Sequence, residues 1–286
     1  MNNVNSVTPP AARPGIGQQA ADIRHRARGV LGGYSGRVSH WMTLVLALVF
    51  VMTAAVALYM ATGGLATAGY FIFDEAVWVD AVTNVLLVAS YLVWILPLLA
   101  SVWRLTCLMT APDGAVVDGM SVSVPPATLT ELFYPFTSLR AYGRTMAVAM
   151  EGLGFAVLTV GVPILLFPLA LLPLDLLKES FPFLLGLAVA ALVLICLSLG
   201  LLAFFLSGKR AGFGYFVFVY EEMTLTDVGR YYRGFKRPLI PAFIQRVSLW
   251  GWYALSVAGI LVPFLFYTIP YGLCCAAVYS RELTRK

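Results

Sequence analysis

Residues 41–62, WMTLVLALVFVMTAAVALYMAT, decide the fold: they form an apolar run without a single charged side chain, between His40 and the Gly63–Gly64 pair. Coiled as an α-helix rising 1.5 Å per residue, this stretch covers a hydrocarbon core about 30 Å thick. It is expected to cross a membrane. The rest of the chain has to be threaded around that crossing.

Upstream of the run lie Arg13, Arg24, Arg26, Arg28 and Arg37. Lys and Arg are retained on the cytoplasmic side during insertion, so the N-terminus is expected inside. Of the 19 lysines and arginines, only Lys178 falls in an expected outer loop, whereas Asp74, Glu75, Asp80, Asp175 and Glu179 crowd those loops. The first forty residues are too polar and too long for a cleavable signal, and the first span is expected to remain as an anchor. Residues 1–20 read as a disordered arm and residues 21–286 as one integral membrane domain.

Downstream, a second apolar run covers 81–103 and is closed by Arg104. A cytoplasmic loop follows, rich in the breakers Pro112, Gly114, Pro125 and Pro126. Further spans are expected at 152–177 and 183–206. The stretch 211–220 is apolar but too short to cross, and is expected at the inner interface or as an extension of the preceding span. From Val247 to Ser280 the chain is apolar for longer than one span needs, with Pro263 and Pro270 inside, so one long kinked helix or two passes, 247–262 and 263–280, would fit. A single pass would strand Arg281, Arg285 and Lys286 outside, so charge favours two. The expected fold is an all-α polytopic transmembrane bundle of about six spans in three hairpins.

Composition excludes several classes. With 60% hydrophobic and 12% charged residues and a mean hydropathy of +0.85, the chain departs from the mix of a soluble domain. The net charge of +5 sits beside apolar segments with no separate basic domain, so an anionic lipid surface is the expected partner and nucleic acid is not. Cys107, Cys196, Cys274 and Cys275 lack metal-ligand spacing and read as packing residues. His25 and His40 have no matched carboxylate or cysteine neighbour. Neither a metal nor another cofactor is expected.

A basic, amphipathic segment precedes each pair of spans. In the third unit Val228, Tyr231, Tyr232, Phe235 and Leu239 share a helical face, with Arg230, Arg233 and Arg237 on another and Thr226 as an N-cap. In the first, Ile23, Ala27, Val30, Leu31 and Tyr34 oppose Arg24 and Arg28. The second opens on Leu129, Thr130 and Glu131 and carries Phe133, Phe136, Leu139, Arg140 and Arg144, interrupted by Pro135. Such helices lie in the headgroup plane, where each basic residue gains about 1 kcal/mol near an anionic leaflet.

Several of these segments carry a resemblance. Arg26, Ala27 and Arg28 with Leu31 and Gly33, the aromatic segment Phe133 to Arg144, Gly234–Phe235–Lys236, Ser248 to Trp252, and Pro270–Tyr271 through Tyr279 resemble motifs of the bacterial integral membrane proteins grouped as Domain of Unknown Function family nine-seven-five. There is a more distant similarity to the membrane domain attached to some glycerophosphodiester phosphodiesterases, without their catalytic domain. The resemblance implies a multi-helix protein of the bacterial cytoplasmic (inner) membrane with no assigned activity.

No GxSxG, HExxH or GxxxxGK[ST] motif is present, and Gly212 with Gly214 is too little for a phosphate loop, so an enzyme is not expected. Arg104 and Glu151 read as interfacial charges, and Glu221 and Glu222 as partners for Arg230 or Lys209. The leading expectation is a non-enzymatic accessory protein. It would engage anionic phospholipid headgroups, or a membrane-protein partner, through a cytoplasmic collar of Arg24, Arg28, Arg140, Arg144, Arg230, Arg233, Lys236 and Arg237. The alternative is a transporter or channel for a neutral or amphipathic solute, using helices broken at Pro163, Pro168, Pro263 and Pro270.

Overall fold

The computed structural model describes residues 16–35, 37–72, 76–111, 115–117, 120–122, 124–157, 212–234 and 264–284, with 161, 189–191, 193–195, 198, 244, 247 and 249 between them. Helix α1 (Ile16–Leu31) leads through a hairpin of two-residue strands, β1 (Tyr34–Ser35) and β2 (Val38–Ser39), into α2 (His40–Ile72). The next helix is continuous from α3 (Ala76–Ser90) through a π-helical turn (Tyr91–Ile95) to α4 (Leu96–Thr110). Among the described residues, His40–Ile72 and Trp78–Thr110, each 33 residues, are long and apolar enough to cross a membrane.

These two helices form an antiparallel hairpin. Near its turn, a Cβ on Gly69 would stand 2.8 Å from Val79 Cγ1, so glycine lets the pair close up there. Further along, the Tyr91 hydroxyl donates to the Ala55 carbonyl at 2.7 Å. Although the apolar run 41–62 ends in sequence at the Gly63–Gly64 pair, α2 stays helical through both and through Gly69. Each glycine costs a helix about 1 kcal/mol, which the long apolar helix and its partner can outweigh.

After α4 come a second small hairpin, β3 (Ala115–Val117) and β4 (Met120–Val122), a 3₁₀ helix (Leu129–Phe136) and α5 (Leu139–Ala156). The second basic segment is therefore split. Pro135 lies near the end of the 3₁₀ helix, and Ser138 restarts the chain as a true N-cap, accepting from Ala141 N at 3.1 Å. The remaining described elements are α6 (Phe213–Val219), α7 (Leu225–Gly234), a π-helical turn (Phe264–Thr268) and α8 (Ile269–Thr284). The spans expected at 152–177, 183–206 and 247–262 lie almost wholly outside the described residues.

Two segments depart from expectation. Phe264 to Thr284, expected to contain a crossing at 263–280, meets the same end of the hairpin at both of its own ends. Trp41 Nε1, at the start of α2, donates to the Phe266 carbonyl at 2.9 Å, and Arg281 Nη1 donates to the Thr110 carbonyl, at the end of α4, at 2.9 Å. Helix α8 thus caps this end of the hairpin. The other departure is in the 211–220 stretch, where the helix starts afresh at Phe213 after Gly212, whose φ is 123°. Its helix α6 is buried from Gly214 onward, because an element apolar all round its circumference has no face to offer water.

The core gathers at that same capped end. Leu44, Ala47, Leu48 and Val51 of α2 pack with Leu98, Val102, Leu105 and Leu108 of α4, with Ile23, Ala27 and Leu31 of α1, and with Cys274, Cys275 and Val278 of α8. A second cluster holds α6 against Val228 and Tyr232 of α7 and Ala149 of α5. Beyond it the hairpin is bare: Val56, Tyr59, Met60, Leu65, Val82, Val85 and Val88 are all exposed.

Candidate functional site

Arginines converge on the capped end of the hairpin, and the structure divides them into an inner group and an outer one. Arg104, on α4, is only 2% exposed. Its Nε and Nη2 each lie 2.9 Å from Glu131 Oε2, and its Nη1 pairs with Glu221 and donates to the Phe218 carbonyl at 3.3 Å. The guanidinium carbon sits 3.6 Å from the centre of the Tyr134 ring, a cation–π contact. One cation so ties α4 to the 3₁₀ helix and to the elbow after α6. The interfacial place expected for Arg104 does not hold, because α4 continues to Thr110 and carries this residue into the core. Glu221 pairs with Arg104, and Arg230 lies beside Asp227 instead, while Lys209 lies outside the described residues.

Arg144 joins the inner group. It is 2% exposed and donates to the carbonyls of Met223 (2.6 Å), Tyr220 (2.9 Å) and Val217. The last carbonyls of a helix have no partner within the helix and carry its negative dipole end, so a buried guanidinium on this side of α6 supplies donors and charge together. Burial draws the Arg144 pKa below its ordinary value, while Tyr134 and Glu221 act in the other direction. Burial pushes the Tyr134 phenol up, and the Glu221 charge adds to that shift. Arg140 is exposed but is also engaged, with Nη2 donating to the Glu221 and Glu222 carbonyls at 3.2 and 3.3 Å. The approach of α5 to α6 depends on Gly214, where a Cβ would lie 2.5 Å from Trp103 Nε1 and 3.0 Å from Val148 Cγ1.

The outer group faces water. Helix α1 buries Ala20, Ile23, Ala27 and Leu31 against α8 and leaves Arg28 exposed and Arg24 half-buried. Ala21, Arg24, Arg28, Tyr267 and Tyr271 line a cavity of about 200 Å³ between α1 and α8. On α7, Val228 and Tyr232 turn inward while Arg230 and Arg233 are exposed. Arg230 lies 3.5 Å from Asp227, and Arg233 Nε donates to the Gly229 carbonyl at 3.1 Å. The N-cap of α7 is Thr224, not Thr226. Thr224 Oγ1 accepts from Asp227 N at 3.2 Å and donates to Asp227 Oδ2 at 2.6 Å, a reciprocal cap that places Thr226 inside the first turn. Thus Arg28, Arg230 and Arg233 are exposed and Arg24 is half-buried, Arg140 is engaged by the elbow after α6, and Arg144 departs from the ring by burial. Lys236 and Arg237 lie outside the described residues.

The proline breaks behave differently from open ligand sites. Pro270, in the first turn of α8, lacks the N–H that would bond the Phe266 carbonyl, and that carbonyl is the one taken by the Trp41 indole. Pro97 in α4 similarly frees the Val93 carbonyl, which accepts from the Tyr142 hydroxyl at 3.2 Å. In both places an aromatic donor from another element replaces the missing amide. Pro163, Pro168 and Pro263 lie outside the described residues. The sequence reading overlooked Arg104 as an organiser and Tyr142 and Trp41 as donors. Its available signal was a lone arginine within an apolar run, with Glu131 and Glu221 elsewhere to balance it.

Among the described residues no group of three or more His, Cys, Asp or Glu is placed to hold a metal ion. Comparison of the chain with protein-family models, with curated proteins and with solved structures returns no match.

Proposed function

We propose that this chain is a multi-pass membrane protein without catalytic chemistry, and that its cytoplasmic cap engages anionic lipid headgroups through Arg24, Arg28, Arg230 and Arg233. The observation that carries the reading is the spacing of aromatic tiers along the bare hairpin. At one level Phe50 packs against Phe133, and Trp94 against Phe136 beside Tyr142. At the other, Tyr70, Phe71 and Trp78 are exposed. From Phe50 to Tyr70 the helix rises roughly 30 Å at 1.5 Å per residue, the thickness of a hydrocarbon core, and aromatic rings favour its two boundaries. A 33-residue helix is about 50 Å long, so each partner of the hairpin projects well beyond the first tier.

The projecting end is where the arginines gather, and the described part of the other end carries Asp80, in the first turns of α3. Retention of positive charge on the cytoplasmic side supports placing the cap inside. With α8 folded into that cap, α1 and α8 fall on one side, which calls for an even number of crossings between them. The six expected from sequence satisfy that count only if the further crossings come from residues 157–263. The capture by Trp41 of the Phe266 carbonyl that Pro270 leaves without an amide weighs against a transport site at that break.

Native mass spectrometry of the full chain, released from neutral detergent with equimolar phosphatidylglycerol and phosphatidylcholine, tests the headgroup reading. Preferential retention of phosphatidylglycerol is expected. Equal retention of the two lipids would refute it.

A further inference from the structure

We propose that the cavity between α1 and α8 is a discrete site for a single phosphate group, clamped by Arg24 and Arg28. This deepens the headgroup reading and rests on it. Arg24 and Arg28 are one helical turn apart, so their side chains leave the same face of α1 and meet in one cavity. Like charges at that spacing repel, and the described residues give neither an ion-pair partner. Their neighbour Arg26 differs, because it is paired with Glu282 at 2.5 Å. Helix α1 therefore sends one arginine to a carboxylate and turns two toward a cavity with no carboxylate among its described lining residues.

The opposite wall suits a phosphate ester. Tyr267 and Tyr271 stack with ring centres 5.9 Å apart and planes 21° apart, giving the cavity a stiff aromatic side. A volume of about 200 Å³ is several times the space of one water, enough for a phosphate with the first atoms of its alcohol. Guanidinium groups present planar forks that match phosphate oxygens in pairs, and two of them balance the two charges of a phosphomonoester or exceed by one that of a phosphodiester. The Phe266 carbonyl next to this wall is held by Trp41, nine residues or roughly 13 Å along α2 from Phe50, so the cavity lies on the projecting cap. On the headgroup reading the ligand is a lipid phosphate. A soluble phosphate ester would satisfy the same chemistry.

The test uses full-length protein in neutral detergent, titrated with dioctanoyl phosphatidate and dioctanoyl phosphatidylglycerol, with dioctanoyl phosphatidylcholine as a control. Affinity is read from the ligand-dependent rise in melting temperature. The paired variant Arg24→Gln/Arg28→Gln is expected to weaken anionic lipid binding at least tenfold, while Arg230→Gln/Arg233→Gln on α7, which thins only the basic surface outside the cavity, is expected to give a several-fold smaller loss. Ala21→Trp, which fills the cavity from an exposed position and keeps both arginines, is expected to give the same loss and guards against a variant that merely misfolds. Competition by millimolar inorganic phosphate would identify a soluble phosphate as the ligand, and its failure to compete would identify the lipid. Equal weakening by the α1 and α7 pairs would overturn the discrete site and leave a diffuse headgroup surface. Absence of anionic lipid binding by the unaltered protein would overturn both.

Discussion

Replacing Arg104 with methionine removes the charge at the junction of three elements while roughly filling its volume with an unbranched apolar chain. Deleting one member of a buried ion pair costs about 3–5 kcal/mol, because its partner keeps its charge without compensation. Here the abandoned carboxylates are not fully enclosed: the Glu131 and Glu221 side chains retain 18% and 37% of their exposure. Water can therefore recover part of the loss, leaving about 2–4 kcal/mol. At about 2–4 °C per kcal/mol for a chain of this size class, the melting temperature should fall by roughly 5–15 °C. The adjacent Trp103 makes intrinsic fluorescence during heating in neutral detergent a direct readout. A double-mutant cycle with Glu131→Gln should give a coupling of about 1–3 kcal/mol, since both changes break the same contact. A fall of less than about 2 °C, or strictly additive single changes, would show that the Arg104 junction does not hold the cap together.

Two further outcomes follow from the same geometry. Trp41→Phe deprives the Phe266 carbonyl of its donor at a site that is still partly exposed, so a loss of about 1 kcal/mol in thermal stability is expected. Pro270→Ala restores the missing amide and should rescue it, whereas an equal penalty in the Pro270→Ala background would sever the link between the indole and the proline. For the threading, single cysteines at Asp80 and Arg233 in a Cys196→Ser background can be probed with a membrane-impermeant maleimide, the described native cysteines being buried. The Asp80 position should react in intact cells and the Arg233 position only after permeabilisation, and the reverse pattern would invert the orientation.

Where local pattern dictates structure, the sequence reading and the fold agree. An apolar run such as 41–62 leaves the backbone little choice in lipid but a helix, since every amide must be satisfied within the segment. Spacing of Ile23, Ala27 and Leu31, or of Val228 and Tyr232, selects the face each amphipathic helix buries. Helix ends were less legible. Gly63 and Gly64 read as a stop but lie inside α2, because a packed partner outweighs a small local penalty. Thr224 displaced Thr226 as a cap, because Asp227 three residues on can complete the reciprocal bond only with Thr224.

By itself, then, the sequence determined that this is a largely helical chain with runs long and apolar enough to cross a membrane and with its basic residues gathered outside them, because hydrophobic length and charge spacing are properties of short segments. Only the tertiary structure decided which arginines remain available. Arg144 and Arg104 look no different in sequence from Arg24 and Arg28, yet the first two are consumed by carbonyls and carboxylates more than seventy positions away along the chain, Val217 and Tyr220 for one and Glu221 for the other. Likewise, whether 264–284 crosses or caps depends on Trp41 and Thr110 receiving its two ends. Such partners are set by packing in three dimensions, and no local pattern encodes them.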